Sequence, residues 1–578
     1  MKYKILAILC VCIILWFTIL PVEQYWCKTD IRFTEVICGV SIVAVLMLVW
    51  RKQRVTISAI DIIIALWLAY VIFRSYVDTT YPCANYILHV MQMMALYVCL
   101  RVLFSSVLIS EKIIVFIVLI CASYEVILGA GQMINGDSRH YLFPMTGSFL
   151  NPGPYSIFLS MGLVMSCKMK KEYYTGKGIL PSMMSWFPIV FLILLPATWS
   201  RAALLSAAIC LGVIYWEQWK RWRWCFFAGV VAVMAVLYYL KQGSADGRTI
   251  IYMISLLSIC HAPVFGSGIG SFCHQYAEGM ANFSIQHPTF NFLCADVVKG
   301  AFNCILQIGV EQGIVGVCFA VALVVLMFVD LGKFGKSLGM GVLCLLIFSM
   351  FSYPFDQLPY QIIFVLIAAY AATGKTAVVP FVEWHQLSQK YFAPIITLGC
   401  IVLLSVFIHR QIMERVKVES EYKMIVGQRN AVFLGDYYKF CPLLLSNEKF
   451  LFDFSKILSR NGRYIDSNAM LRLGTFISND PMFYVVQGNN YSDVGLYKDA
   501  EQAYQKAFNV MPNRLYPLYK LMLLYEKEGN ADKEIQMAQR VLTFKEKVVS
   551  PATKEMKKRA SEVYESLTTK NKEVAENL

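Results

Sequence analysis

The chain has 578 residues, of which 58% are hydrophobic and 16% are charged, and its formal net charge is +14. Soluble domains carry about 25% charged and about 45–50% apolar residues, so this composition excludes a soluble globular enzyme and indicates a polytopic membrane protein. The basic excess is not taken as a sign of nucleic acid, because membrane proteins collect Lys and Arg in cytoplasmic loops. We expect no nucleic-acid partner.

The apolar segments predict thirteen membrane-spanning helices, since a span needs about 20 mostly apolar residues. They cover about 4–20, 33–50, 57–73, 84–104, 112–130, 151–167, 184–198, 202–216, 224–240, 303–329, 337–352, 359–373 and 392–409. The first resembles a signal peptide, but no small-residue cleavage site follows it, so we expect an uncleaved helix. The predicted fold class is all-α, a polytopic bundle of about 12–13 transmembrane helices followed by a soluble helical-repeat domain.

Basic residues lie on alternate connections between these spans, which indicates one orientation. They are Lys2, Lys4, Arg51, Lys52, Arg54, Lys168, Lys170, Lys171, Lys177, Lys220, Arg221, Arg223, Lys333, Lys336 and Lys375. The positive-inside rule makes this side cytoplasmic. The N-terminus is then inside, and the connection 241–302 and the C-terminal region 411–578 are outside.

The 18 cysteines lie mostly in apolar runs, where they act as small hydrophobes. No CxxC pair or Cys/His cluster has the spacing of a zinc site. We therefore predict no disulfide framework, no metal site and no cofactor.

The polar C-terminal region contains a predicted helical repeat that resembles the tetratricopeptide consensus. Its residues are Tyr491, Gly495, Tyr497, Ala500, Tyr504, Ala507 and Pro512. Tyr525 and Gly529 recur 34 residues after Tyr491 and Gly495, the period of that repeat. A looser copy runs through Gly462, Tyr464, Ala469 and Pro481. The predicted domains are thus 1–410 and 411–578, and the repeats either form a groove for a protein partner or dock on the membrane domain.

Two polar groups open spans on the predicted outer side, where ionisable residues indicate function. The first, 146–154, contains Asn151 before Pro152, and breaks in the helix there would leave amides free to meet an anion; the alternative is an ordinary helix start. The second is Ser200-Arg201, whose guanidinium either grips a phosphate with two parallel bonds or extends to lipid headgroups.

Two further groups lie in or after the connection 241–302. One contains Arg248 and then the glycines of 266–270, a turn that lets backbone approach a ligand or the bilayer; no strand precedes it, so a dinucleotide site is rejected. The other contains Asn303 and Glu311, followed by glycines that permit close helix contact. A buried Glu needs a partner, for instance Arg201 or Arg248, and a purely structural ion pair is the alternative.

Together, in this order, the four groups resemble the O-antigen ligase/polymerase family, including its protein O-oligosaccharyltransferase relatives. The matching positions are Gly147-Ser-Phe-Leu-Asn151-Pro152-Gly153, Ser200-Arg201-Ala202-Ala203, Gly247-Arg248, Pro263, Gly266, Gly268, Gly270, Phe272, Asn303, Leu306, Glu311, Gly313 and Gly316. The motifs cover about 140–316, and the hydropathy profile extends the likeness over the membrane region. The resemblance implies a GT-C-like bundle in a bacterial inner membrane, with the repeats in the periplasm.

One position departs from the family pattern. Where the family has a histidine before the asparagine, the proposed base or acceptor-orienting group, this chain has Phe302. His287 in the same connection is the nearest replacement, and His274 is a second.

The resemblance implies transfer of a glycan from a polyprenyl-diphosphate carrier to a hydroxyl group, without a metal. Arg201, Arg248 and His287 are the predicted catalytic residues, and Asn151, Ser200, Asn303 and Glu311 the predicted substrate contacts. The acceptor is a lipid A-core sugar (ligase type, placed first), another lipid-linked glycan (polymerase) or a protein side chain (O-oligosaccharyltransferase). Alternatives from other classes are a transporter of lipid-linked sugars and a non-catalytic membrane scaffold.

Overall fold

The computed structural model describes residues 2–21, 27–51, 56–173, 179–240, 242–374, 386–427 and 434–576. The regular elements of this part of the chain are helices, as predicted. Those of the membrane region are α1 (Lys2–Trp16), α2 (Lys28–Trp50), α3 (Ala59–Val77), α4 (Ala84–Ser106), α5 (Glu111–Asn135), α6 (Pro152–Tyr173), α7 (Ile179–Leu194), α8 (Arg201–Tyr215), α9 (Arg223–Leu240), α10 (Gln242–His261), α11 (Phe272–Gln286), α12 (Cys304–Phe334), α13 (Lys336–Ser349), α14 (Leu358–Ala371) and α15 (Gln386–Gly427). Two short 3-10 turns are Pro196–Thr198 and Pro354–Asp356.

Each of the thirteen predicted spans coincides with a helix, and the protein is a multi-pass membrane protein. Five stretches within the described residues are long and apolar enough to cross a membrane: Lys28–Trp50, Ala59–Val77, Ala84–Ser106, Glu111–Asn135 and Cys304–Gly332. Shorter apolar helices are Ser185–Thr198, Arg201–Tyr215, Trp224–Val236, Lys336–Ser349 and Leu358–Ala371. The full count of thirteen crossings stays a prediction.

Polar contacts join the helix ends on the side predicted to be cytoplasmic. Glu111 at the start of α5 accepts hydrogen bonds from the first amides of α13, including that of Leu338 (3.0 Å), which suits the positive end of a helix. Tyr173 at the end of α6 donates to the same carboxylate (2.9 Å), and Lys336 lies 3.8 Å from Glu172. These basic ends therefore meet at one face. Which side of the membrane that face adjoins stays a prediction, and Lys52, Arg54, Lys177 and Lys375 lie outside the described residues.

The helix α12 is broken at Gly313, where φ is 65° and ψ is −162°. Residues 263–270, here called the glycine loop, enter this break and pair with its backbone. The four N–H to O=C bonds run from Ile314 to Pro263 (2.9 Å), Val315 to Val264 (3.3 Å), Ser267 to Val310 (2.8 Å) and Gly268 to Glu311 (3.1 Å). The backbone of this loop thus approaches α12, and the expected approach to a ligand or the bilayer stays a prediction.

The glycines on both sides of this pairing are required by space. A Cβ atom at Gly266 would lie 2.5 Å from the backbone nitrogen of Gln312, and one at Gly313 would lie 2.5 Å from the nitrogen of Gly266. A Cβ at Gly316 would meet Gln312 and Ile308 of its own helix. The expected helix-to-helix contact at Gly313 and Gly316 is thus wrong: Gly313 admits a loop, and Gly316 faces its own helix.

The C-terminal region is a run of short paired helices. They are α16 (Leu434–Leu444), α17 (Glu448–Arg460), α18 (Tyr464–Ile477), α19 (Met482–Asp493), α20 (Tyr497–Val510), α21 (Leu515–Glu528), α22 (Ala531–Thr543) and α23 (Pro551–Glu576). Gly462, Gly495 and Gly529 follow α17, α19 and α21 with φ of 73°, 82° and 78°, the left-handed conformation that ends helices. The predicted 34-residue spacing therefore repeats one helix-ending turn. The predicted boundary at residue 410 falls inside α15, which continues from the last predicted span into the polar region.

The paired helices dock on the connection between α9 and α12. Lys506 of α20 lies 2.6 Å from Glu278 of α11, and His274 Nδ1 lies 3.0 Å from the carbonyl oxygen of Thr475. The docking alternative is therefore observed, and a groove for a protein partner stays a prediction.

Asn479 is the most completely paired docking residue, with a side chain that is 1% exposed. Its amide donates to the oxygen of Val298 (2.6 Å) and accepts from the nitrogen of the same residue (3.1 Å). The repeats thereby hold the backbone four residues before Phe302.

We expect Gly313→Ala to destabilise the protein, because φ of 65° with ψ of −162° is a conformation that costs a non-glycine residue about 1–3 kcal/mol before any clash is counted. A lowered melting temperature of the purified protein would measure this. Gly332→Ala, on the same helix with nothing within 4 Å of the added Cβ, is the matched control. Equal melting temperatures for the two variants would contradict the prediction.

Asn479→Asp should loosen the docked repeats, because the carboxylate cannot donate to the oxygen of Val298 and repels it. Hydrogen exchange of the amides in 296–301 should become at least about tenfold faster. Asn530→Asp is the control, since Asn530 caps α22 as an acceptor and Asp caps equally well. Unchanged exchange in Asn479→Asp would show that the bond does not hold the loop.

Candidate functional site

Two helices that carry predicted site residues begin with the same local geometry. Ser200 caps α8 by accepting from the nitrogen of Ala203 (3.4 Å), and Asn303 caps α12 by accepting from the nitrogen of Ile305 (3.0 Å). The residue before each cap, Trp199 or Phe302, has a left-handed φ of 53° or 52°. Strained residues of this kind cluster at functional sites. The oxygens of Ser200 and Asn303 serve as caps, and substrate contacts by these two residues stay a prediction.

The segment before α6 does not offer the free amides that were expected. Gln132 accepts hydrogen bonds from the nitrogens of Thr146 (2.9 Å) and Gly147 (2.8 Å), and Glu125 accepts from the nitrogen of Ser148 (3.0 Å). That expectation is therefore wrong for 146–148, because buried backbone donors are paired within the protein wherever partners exist. Asn151, which follows, remains available through its side chain.

Arg248 lies where α10 meets the loop before α12. A Cβ at Gly247 would lie 3.0 Å from the backbone oxygen of Cys294, so glycine allows the two chains to approach. The guanidinium of Arg248 lies 5.5 Å from the centre of the Phe302 ring, within the range of a cation–π contact. Phe302 is thus the surface on which Arg248 rests.

Tyr353 joins this contact to the start of α6. Its ring lies edge-on to the ring of Phe302, with centroids 5.3 Å apart, and its hydroxyl accepts a hydrogen bond from the amide of Asn151 (3.1 Å). Tyr252 donates to the backbone oxygen of Phe302 (3.3 Å). We call Asn151, Arg201, Arg248, Phe302 and Tyr353 the arginine cluster.

The electrostatics of the arginine cluster are those of an anion site. Desolvation lowers the pKa of Arg248; Tyr252 and Tyr353 oppose this, and the nearby charge of Arg201 lowers the pKa further. Among the described residues, neither guanidinium has an ion-pair partner. Two partly buried like charges repel each other and lose hydration, and a bound anion would relieve both effects.

Glu311 is buried, but its partner is not an arginine. Its carboxylate accepts a 2.7 Å bond from the side chain of Gln307, and Gln307 accepts in turn from the nitrogen of Ala301 (2.8 Å). The predicted ion pair with Arg201 or Arg248 is therefore absent from the described contacts. Glu311 instead supports the glycine loop and the residue before Phe302, and a direct substrate contact stays a prediction.

Asp356 is the acidic group that sequence reasoning missed. It follows Tyr353 in the turn before α14, and its carboxylate would lie 3.9 Å from a Cβ at Gly300. Desolvation raises its pKa to about 6. The side chain lines a cavity of 560 Å³ whose other lining residues are mostly apolar and include Trp67, Met93, Leu323 and Phe364. The only sign of this group in the sequence was an acidic residue in a short connection on the predicted outer side.

The two candidate histidines lie apart from these contacts. His287 ends α11, is exposed, and packs on the ring of Phe283 with centroids 4.4 Å apart. His274 contacts the repeats through Thr475 and lies against Phe476. No contact of the described residues links either ring to Arg248, so His287 as base stays a prediction. No group of His, Cys, Asp and Glu among these residues could hold a metal ion.

The helices define a multi-pass membrane protein, and the arginine cluster is its candidate site for an anion. Residues 187–321 match the family model described as O-Antigen ligase (Wzy_C). This segment contains Arg201, Arg248, Phe302 and Glu311 and covers less than a quarter of the chain. Among curated proteins nothing matches the chain. The similarity to O-antigen ligases thus falls on the segment that supplies both arginines.

Proposed function

We propose that the protein is a membrane glycosyltransferase of the O-antigen ligase type. It would move an oligo- or polysaccharide from a polyprenyl-diphosphate carrier to a hydroxyl acceptor at the periplasmic face of a bacterial inner membrane. The observation that carries the proposal is the arginine cluster: two neighbouring guanidinium groups without a carboxylate partner among the described residues. Such a pair suits a diphosphate, since arginine binds phosphate oxygens with two parallel hydrogen bonds.

The step is an in-line displacement that inverts the anomeric carbon. The acceptor oxygen forms a bond to that carbon while the bond from the carbon to the diphosphate oxygen breaks, and the polyprenyl diphosphate leaves with the electron pair. Arg201 and Arg248 stabilise the charge that develops on this leaving group, which lowers the barrier because their positions are set before the reaction. Phe302 holds Arg248 through its ring.

The acceptor hydroxyl must lose a proton to a base, a contribution of about 10²–10⁴-fold. Phe302 cannot take that role, so two other residues are candidates. Asp356 has a pKa of about 6 and is three residues from Tyr353; at neutral pH its carboxylate is ionised and close to the ideal strength for a base. We propose Asp356 as the base and keep His287 as the alternative.

The apolar cavity supports a lipid-linked donor. Its walls come from α3, α4, α12 and α14, and Asp356 lies on its lining. An isoprenoid chain is apolar and long, so it would be stabilised by leaving water for such a surface.

The acceptor is the part of the proposal that the chemistry of the cluster does not select. A lipid A-core sugar is placed first, with another lipid-linked glycan or a protein hydroxyl as alternatives. All three present a hydroxyl nucleophile, so the same arginines and base would serve each of them.

Arg201→Ala and Arg248→Ala should each lower glycan transfer at least about 10²-fold, the usual effect of removing one donor to a developing charge. Arg248→Lys should recover only part of the rate, since an ammonium lacks the planar fork. Consumption of lipid-linked glycan in isolated membranes measures the rate. Arg410→Ala, an exposed arginine paired with Glu414, is the control. Full transfer by both alanine variants at normal protein levels would refute the role of the arginines.

The transfer rate should rise with pH through about 6 and level off above it, because the apolar lining beside Asp356 favours the neutral acid and only the carboxylate accepts a proton. Asp356→Asn should lower transfer at least about tenfold and remove this dependence. Asp137→Asn, an exposed acid in another outer connection, should behave as wild type. If His287→Ala loses transfer while Asp356→Asn keeps it, the base is His287.

A further inference from the structure

A cleft of 650 Å³ separates the loop after α11 from the repeats. One wall carries Phe290 and Asn291, and the other carries Asn509, Arg540 and Phe544. Its volume lies in the range of about 300–1,000 Å³ that is usual for ligand sites. The cleft is separate from the arginine cluster and from the apolar cavity, since the three share no lining residue.

At the bottom of the cleft lies a hydrogen-bond acceptor that has no donor. Asn513 is 5% exposed, and its amide nitrogen donates to the backbone oxygens of Leu293 (3.1 Å) and Ala295 (2.7 Å). Its side-chain oxygen has no hydrogen-bond partner. A buried acceptor without a donor is unfavourable, and a hydroxyl group in the cleft would satisfy it.

The rest of the lining combines aromatic rings with polar amide and guanidinium groups. Phe290 is 39% exposed and presents an aromatic ring, whose electron-rich face attracts the weakly positive C–H groups of a sugar. Asn291 and Asn509 offer amide donors and acceptors, and Arg540, stacked over Phe508 at 5.0 Å, offers planar donors. No acidic side chain lines the cleft. Rings beside amides suit a ligand that alternates C–H faces with hydroxyl groups.

We propose that this cleft binds an oligosaccharide. The choice of a glycan over a peptide rests on the lining and on the proposed function, because the glycan that is transferred must extend out of the membrane beside this loop. Residues 287–303 connect the two places: Phe290 lines the cleft and Phe302 supports Arg248. The cleft is thus a second contact for a chain of sugars whose reacting end lies at the arginine cluster.

The test uses the purified full-length protein in detergent, immobilised. The probes are end-labelled oligosaccharides released by mild acid from the lipid-linked pool of cells that make the protein, and tryptic peptides of their envelope proteins. Wild type should retain the oligosaccharides, and Phe290→Ala and Arg540→Ser, from opposite walls, should each retain them at least about fivefold less. Tyr438→Ala and Arg472→Ser, side chains on the repeats outside the cleft, should retain them as wild type does.

The site would be overturned if wild type does not retain the oligosaccharides, or if the two cleft variants retain them as well as wild type does. Retention of peptides that depends on the same two residues would replace the glycan by a peptide ligand. Arg248→Ala separates this site from the proposed function, since it should lose transfer and keep retention. Retention by a wild-type protein that shows no transfer would refute the transferase assignment alone, whereas transfer that depends on Arg248 without retention would refute the cleft alone.

Discussion

The break in α12 at Gly313 is the constraint on which the side of the bundle that carries Arg248 and Phe302 depends. An interrupted helix leaves backbone N–H and C=O groups without partners, and in an apolar environment each costs several kcal/mol unless another group pairs it. The glycine loop supplies those partners through four backbone hydrogen bonds. A Cβ atom at Gly266 or at Gly313 would lie 2.5 Å from a backbone nitrogen of the opposite segment, so this close approach requires glycine at both positions.

This pairing ties the connection between α9 and α12 to the membrane bundle. The glycine loop joins α10, which carries Arg248, to α11, on which the repeats dock through Lys506 and Glu278. Asn479 of the repeats then grips Val298 near the end of the same connection. The segment that ends in Phe302 is therefore held from both sides, and Arg248 rests on a ring whose backbone has little freedom to move.

In the arginine cluster the placing of a cation and the acceptance of a proton fall to different residues. Phe302 supports Arg248 by a cation–π contact, so this position helps to place the cation but cannot accept a proton. Asp356, exposed at the edge of the apolar cavity, has a raised pKa of about 6, which would suit a base near neutral pH. Charge stabilisation and proton acceptance would then come from different connections of the bundle.

By itself the sequence determined the helical class and the positions of the apolar helices, and it singled out the two arginines, but it did not predict α10 and α11 in the long connection 241–302. These follow from local composition: runs of apolar residues long enough for a membrane, turn glycines spaced by 34 residues, and arginines that stand out in the connections opposite the basic ones. Asn303, Glu311 and Gly313 were likewise visible as a spaced motif, because one helix carries all three.

Only the tertiary structure decided what these residues contact. Asn151 and Tyr353 are 202 residues apart in the chain and share a hydrogen bond, and no local pattern predicts such a pair. Glu311 was expected to pair with an arginine, but Gln307 is one helical turn away and satisfies it first. The function of the glycine loop depends on a break in a distant helix. The pKa of Asp356 depends on the apolar cavity beside it. Spacing along a chain specifies which residues share an element; packing between elements specifies which of them meet.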